Sequence, residues 1–146
     1  MEKKISRKKR CSIKDNLSAY CSPVIPLVIN QKTCHFLIDC GSHKNAVSDA
    51  DTDVMACFKP SGEVTQTSGF DGHACDTPLG LLTFEIGEHK CEEEFFVISG
   101  KTFALFQEQI GIQVSGLLGM DFLKKYHCVI DFTEGSVTVD LPLSTE

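Results

Sequence analysis

The residue whose setting most favours chemistry is Asp39, which follows the apolar pair Leu37-Ile38 and opens the run Asp39-Cys40-Gly41-Ser42. A carboxylate at the end of an apolar strand is held in place by that strand, and a glycine two residues on frees the backbone to make an unusual turn beside it. Such a group can take or give a proton. Read alone, it is better taken as an acid capping a turn at a strand end. The other chemistry-bearing sets are weaker. His73-Ala74-Cys75 and His89-Lys90-Cys91 would each put two zinc-type ligands on one face of a strand, but the Cys-x-x-Cys hooks usual for zinc do not occur. Cys34 and His35 are neighbours, so on a strand they face opposite sides and a thiol nucleophile loses its base. Asp49, Asp51 and Asp53 alternate without the glycine of a calcium loop, and residues 45–53 read as a solvated loop or helix end. Residues 69–72 and 116–119 lack the lysine and the strand-to-helix setting of a phosphate loop. No metal and no cofactor is expected.

The elements that must position Asp39 are short strands. Residues 23–29 are apolar and β-branched, 30–32 supply a turn, and 33–38 rise again, which predicts a β-hairpin delivering Asp39 at its end. Residues 61–77 are rich in Gly, Ser, Thr and Asp and are punctuated by Gly62, Gly69 and Gly72, the composition of a mobile hairpin able to act as a lid. Residues 79–86 and 94–98 read as strands about the turn Gly87-Glu88, and 103–112 are of ambiguous type. After Leu117-Leu118-Gly119, Phe122, Leu123 and Tyr126 fit one face of a short helix. Residues 128–132 and 136–141 then form a closing hairpin around Gly135. The expectation is an all-β fold with one short C-terminal helix, a single domain over residues 21–146 preceded by a flexible tail over 1–20.

Charge narrows the partners. The chain has 146 residues and a net charge of −6, yet residues 1–10 carry +5 from six bases and one acid, leaving −11 on the rest. An acidic body offers no footprint for nucleic acid, so Lys3, Lys4, Arg7, Lys8, Lys9 and Arg10 read as a solvated tail. No apolar run approaches the length of a membrane span, and the stretch after the basic residues is too polar for a secretory signal. The eight cysteines are sparsely spaced and read as reduced thiols acting as small apolar residues, which points to a cytoplasmic protein that binds no membrane.

Leu37-Ile38-Asp39-Cys40-Gly41-Ser42 near the start, a glycine-rich stretch in the middle and Leu117-Leu118-Gly119 before a short helix together resemble the retropepsin-like aspartic proteases, in the manner of a cellular or bacterial member. The resemblance covers about residues 23–142 and implies a retropepsin-like acid-protease barrel. It implies that Asp39 is the catalytic aspartate, with Cys40, Gly41 and Ser42 completing its loop and Ser42 donating to the carboxylate. It further implies a second loop at Leu117, Leu118 and Gly119, and a flap whose candidates are Gly69, Phe70 and Gly72. A chain of this size would be half of a homodimer cleaving peptides or proteins as an aspartic endopeptidase. The alternative is an inactive domain of the same fold that binds peptides or dimerises. Cys40 stands where the family carries Thr or Ser, and a thiol is a weaker donor than a hydroxyl. Met120 and His43 stand where retroviral members pair an Arg with an acid.

Overall fold

The Asn30-Gln31 turn sets the first hairpin, because both residues take positive φ (49° and 68°) and a two-residue turn of that hand matches the twist of the strands it joins. Those strands are β2 (Val24–Ile29) and β3 (Lys32–Ile38), paired from Val24 with Leu37 to Ile29 with Lys32. The computed structural model describes residues 6–12, 23–68 and 74–142. Further along lie β4 (Asn45–Ser48), β5 (Lys59–Ser68), β6 (Ala74–Ile86), β7 (His89–Ile98) and the three-residue β8 (Gly116–Leu118). They hydrogen-bond in the order β2-β3-β8-β4-β7-β6-β5, and a further pairing of Val28 with Glu85 joins β2 to β6 and closes the barrel. Among the described residues the helices are α1 (Thr52–Cys57), α2 (Ala104–Ile110, preceded by a 3-10 turn at Gly100–Phe103) and α3 (Met120–Lys125). None is long and apolar enough to cross a membrane.

The all-β expectation holds, with the short C-terminal helix present as α3 and two further short helices beside it. Residues 45–53 differ from their reading as a solvated segment. Asn45–Ser48 is a wholly buried strand between β7 and β8, and Asp51 is an interior N-cap whose Oδ1 accepts from Val54 N at 3.1 Å. The polar side chains misled because protein groups, not water, satisfy them: Asp51 Oδ2 accepts from Ser115 Oγ at 2.5 Å, and Ser48 Oγ accepts from Ala50 N at 3.2 Å. The ambiguous 103–112 stretch is helical, ended by Gly111 at φ 73°.

The basic stretch is corrected likewise, since residues 6–12, expected in a flexible tail, form β1 (Ser6–Ser12). It pairs antiparallel along β10 (Ser136–Pro142), whose other edge carries β9 (Val129–Asp131). An uncovered β10 would present a row of unpaired backbone groups, and β1 supplies them with partners. Cys11 packs against the core from this strand, while Arg10 reaches Glu134 at 3.4 Å and Ser136 Oγ at 3.3 Å.

Phe36, Phe84, Phe95 and Phe122 fill the barrel, with Phe36–Phe95 and Phe84–Phe95 meeting edge to face at 6.0 Å. Tyr126 pins α3 to the barrel through its OH, which donates to Glu93 Oε1 at 2.5 Å. A second apolar cluster on the other side of the sheet joins Val24, Ala46, Leu79, Phe96 and Leu117 to Phe103 and Ile110. Where β8 passes between β3 and β4, a Cβ on Gly116 would run into Ala46 O and the Phe36 ring. Backbone there cannot yield as a flexible side chain can. Gly116→Ala is therefore expected to destabilise the protein by about 1–3 kcal/mol or more, read as a lower urea midpoint at an unchanged m-value.

Candidate active site

Strand β3 ends at Ile38 and hands Asp39 to an exposed loop, where the carboxylate is half-buried and Cys40 and Gly41 are exposed. Two hydrogen bonds shape the loop from within. Gly41 N donates to Asp39 Oδ1 at 2.9 Å, and Ser42 N donates to Asp39 O at 3.2 Å. The carboxylate is thus aimed by a backbone N–H. A Cβ on Gly41 would stand 3.2 Å from that same Oδ1, so the position favours glycine for reasons of space. The side chain of Ser42 differs from expectation: its Oγ donates to Lys44 O at 2.7 Å, closing the far side of the loop instead of reaching Asp39.

The second loop is locked against the first almost wholly through backbone. Asp39 N donates to Leu118 O at 3.0 Å, extending the parallel pairing of β3 with β8 by one residue. Beyond Gly119, Met120 N donates to Ser42 O at 2.8 Å and Asp121 N to His43 O at 2.9 Å. These are first-turn N–H groups of α3, a helix with no side-chain cap, so the Asp39 loop caps the helix with its carbonyls. Leu117 and Leu118 are buried in the two apolar clusters, and Gly119 is buried against the carbonyls of Ser42 and Lys44, where a Cβ could not fit. The structure thus brings Asp39, Cys40, Gly41, Ser42, Leu117, Leu118 and Gly119 together. Met120 and His43 come together as well, through the adjoining backbone bonds rather than a side-chain ion pair.

Sequence reasoning missed Asn45. It is 1% exposed, its Oδ1 accepts from Gly119 N at 2.9 Å, and its Nδ2 donates to Glu94 O at 3.2 Å. The available signal was its place directly before the apolar Ala46-Val47.

The flap candidates Gly69, Phe70 and Gly72 lie outside the described residues. The arms that would carry them are described: β5 and β6 pair as far as Ser68 with Ala74, with an irregularity between Pro60 and Val64. Thr77 anchors the hairpin by donating its hydroxyl to Val97 O.

His73 lies outside the described residues, and the described members of the other ligand sets do not converge. Cys91 is buried opposite Phe84, and Cys75 is exposed opposite Thr67, nine residues from Phe84 along β6 and so about 30 Å away. Asp49 accepts from Gly100 N at 2.8 Å, and Asp53 pairs with Lys32 at 2.6 Å, so with Asp51 capping α1 the three carboxylates serve separate partners. Among the described residues no group of three or more His, Cys, Asp or Glu side chains is placed to hold a metal ion.

A closed barrel with two mutually locked loops, one of them carrying an Asp-x-Gly carboxylate, defines a domain of the aspartic-protease type. The comparisons agree. The family model described as Aspartyl protease matches residues 25–122, and the chain belongs to that family. Its fold is similar to that of a retropepsin-like aspartic protease from Rickettsia conorii, with a TM-score of 0.60 at 14% identity, covering 99% of this chain and 98% of that one. No curated protein matches the sequence.

The thiols divide by environment. Burial pushes Cys34 and Cys91 up from the ordinary thiol range and Cys128 up to about 11, whereas Cys40 and Cys75 are exposed. The thiolate is the reactive form. Brief iodoacetamide treatment of the native protein near neutral pH, mapped by peptide mass spectrometry, should label Cys40 and Cys75 before Cys34, Cys91 and Cys128. Early labelling of Cys91 would contradict the packing of the barrel.

Proposed function

We propose that this chain is one half of an aspartic endopeptidase, in which Asp39 and its copy in a second chain meet as a catalytic pair. The observation that carries the reading is the orientation of Asp39 by Gly41 N–H at the tip of a loop held to β8 and α3. Two close carboxylates resist ionising together and share one proton. The ionised member accepts a proton from water as its oxygen attacks the peptide carbonyl carbon, while the protonated member gives its proton to the carbonyl oxygen. Collapse of the resulting gem-diol breaks the C–N bond as the amine leaves protonated, and no covalent enzyme intermediate forms. The β5–β6 hairpin serves as the flap, excluding water once a peptide is bound, with Gly69, Phe70 and Gly72 as the candidate flap residues. The seven described cysteines are all free, which suits the cytoplasm as the working compartment.

A second reading is a peptide-binding or dimerising domain without activity, and Cys40 favours it. Its exposed thiol replaces the hydroxyl that stiffens paired loops in the resembled proteases, and a thiol is a weak donor.

Cleavage profiling of a mixed peptide library from about pH 4 to 7, for wild type and Asp39→Asn, separates the two. The protease reading expects cleavage by wild type and a loss of at least about 100-fold in the variant. Absence of cleavage by a wild type that sedimentation shows to be folded and dimeric would leave the binding domain. A chain that stays monomeric at micromolar concentration would remove the pair and with it the mechanism.

A further inference from the structure

We propose that Asn45 is the positioning residue of the Asp39 loop, acting through Gly119. It is nearly inaccessible to solvent at 1% exposure, and its amide spends one hydrogen bond in each direction. Oδ1 takes the N–H of Gly119 at 2.9 Å, and Nδ2 gives to the carbonyl of Glu94 on β7 at 3.2 Å. Gly119 is the hinge between β8, whose Leu118 carbonyl holds Asp39 N–H, and α3, whose first N–H groups hold the carbonyls of Ser42 and His43. Asn45 is therefore the side chain that ties the crossing of the two loops to the barrel wall; the other ties at the crossing are backbone bonds.

The need for an amide follows from the partners. One is a donor and the other an acceptor, so the side chain must be both, and leaving the buried Gly119 N–H unpaired carries a desolvation cost. A carboxylate would satisfy Gly119 and repel the Glu94 carbonyl. A neutral carboxylic acid would satisfy both. Asn45→Asp is thus a variant of near-identical shape that keeps the tie at low pH, where burial favours the neutral acid, and breaks it as pH rises. The ionisable residues on the segments bonded to Asn45 include the Lys44–Glu94 pair beside it and Asp39, His43 and Asp121 of the two loops.

Amide hydrogen exchange on wild type, Asn45→Ala and Asn45→Asp tests the assignment. In Asn45→Ala, Gly119 should exchange at least about tenfold faster, and Asp39 and Met120 should follow it, while the β6–β7 ladder keeps its wild-type rates. Asn45→Asp should match wild type near pH 4 and match Asn45→Ala near pH 7, after correction for intrinsic exchange. It also stands in if the alanine variant fails to fold. Gly119 opening alone, with Asp39 and Met120 unmoved, would overturn the assignment. So would uniform acceleration of every amide, the sign of lost global stability. The kinetic arm rests on the proteolysis proposed above: kcat should fall about 10- to 100-fold with KM within about threefold, as expected when a reacting group is displaced by an ångström, and an unchanged kcat would overturn it. A wild type that cleaves nothing sinks the protease reading alone, because exchange reports on the loop without catalysis.

Discussion

The passage of β8 between β3 and β4 is the constraint on which the rest of the structure depends. Three residues run parallel to one neighbour and antiparallel to the other, so both edges of the short strand are used. The passage is tight because glycine stands at each end, with Gly116 against Ala46 and Phe36 and Gly119 against the carbonyls of Ser42 and Lys44. The contacts are also distant in sequence, joining residue 36 to 116 and residue 46 to 117. Bringing such segments together costs loop entropy before any contact is gained. The apolar clusters on the two faces of the sheet supply the compensation: Phe36 and Leu118 enter one, Ala46 and Leu117 the other. The site is therefore a by-product of the core's closure.

That dependence explains which parts were legible in the sequence. Alternation and turn chemistry marked β2, β3, β6 and the closing hairpin, because each is specified by neighbours in the chain. The Asp39 and Leu117-Leu118-Gly119 segments were legible only as two motifs in the right order. Strand β4 was opaque, since Asn45 and Ser48 look solvent-seeking until their partners on residues 94, 119 and 50 are known. The basic β1 was opaque for a related reason. Lys8, Lys9 and Arg10 are exposed, as edge strands often require, and only the long-range pairing with β10 makes it a strand. Local pattern fails where a polar residue's partner is supplied by tertiary structure.

The junction of the two loops also shows how backbone can do work that relatives assign to side chains. In retroviral members of the resembled family an Arg and an acid brace this corner, whereas Met120 and His43 stand here. The brace is instead the pair of bonds from the first turn of α3 to the carbonyls of Ser42 and His43, both within 2.9 Å. A helix start needs acceptors and a catalytic-type loop needs anchors, so each satisfies the other. The positive end of the short helix thus points at loop carbonyls near Asp39, while Asp121 in its first turn offsets part of the dipole.

Cys40 can be weighed against this background. Every bond that shapes the loop within one chain avoids its side chain: Gly41 and Ser42 N–H fix the turn, Ser42 Oγ closes it, and Leu118 O holds its start. The thiol is exposed and makes no hydrogen bond to any described residue in the same chain. In the proposed dimer the weak thiol donor therefore costs association and the stiffness of the paired loops, and leaves the orientation of Asp39 within each chain intact. Loop geometry and dimer affinity are separable properties here. The first rests on Gly41, Gly119 and Asn45, which one chain supplies alone, and in the proposed dimer the second would draw on Cys40 and whatever faces it.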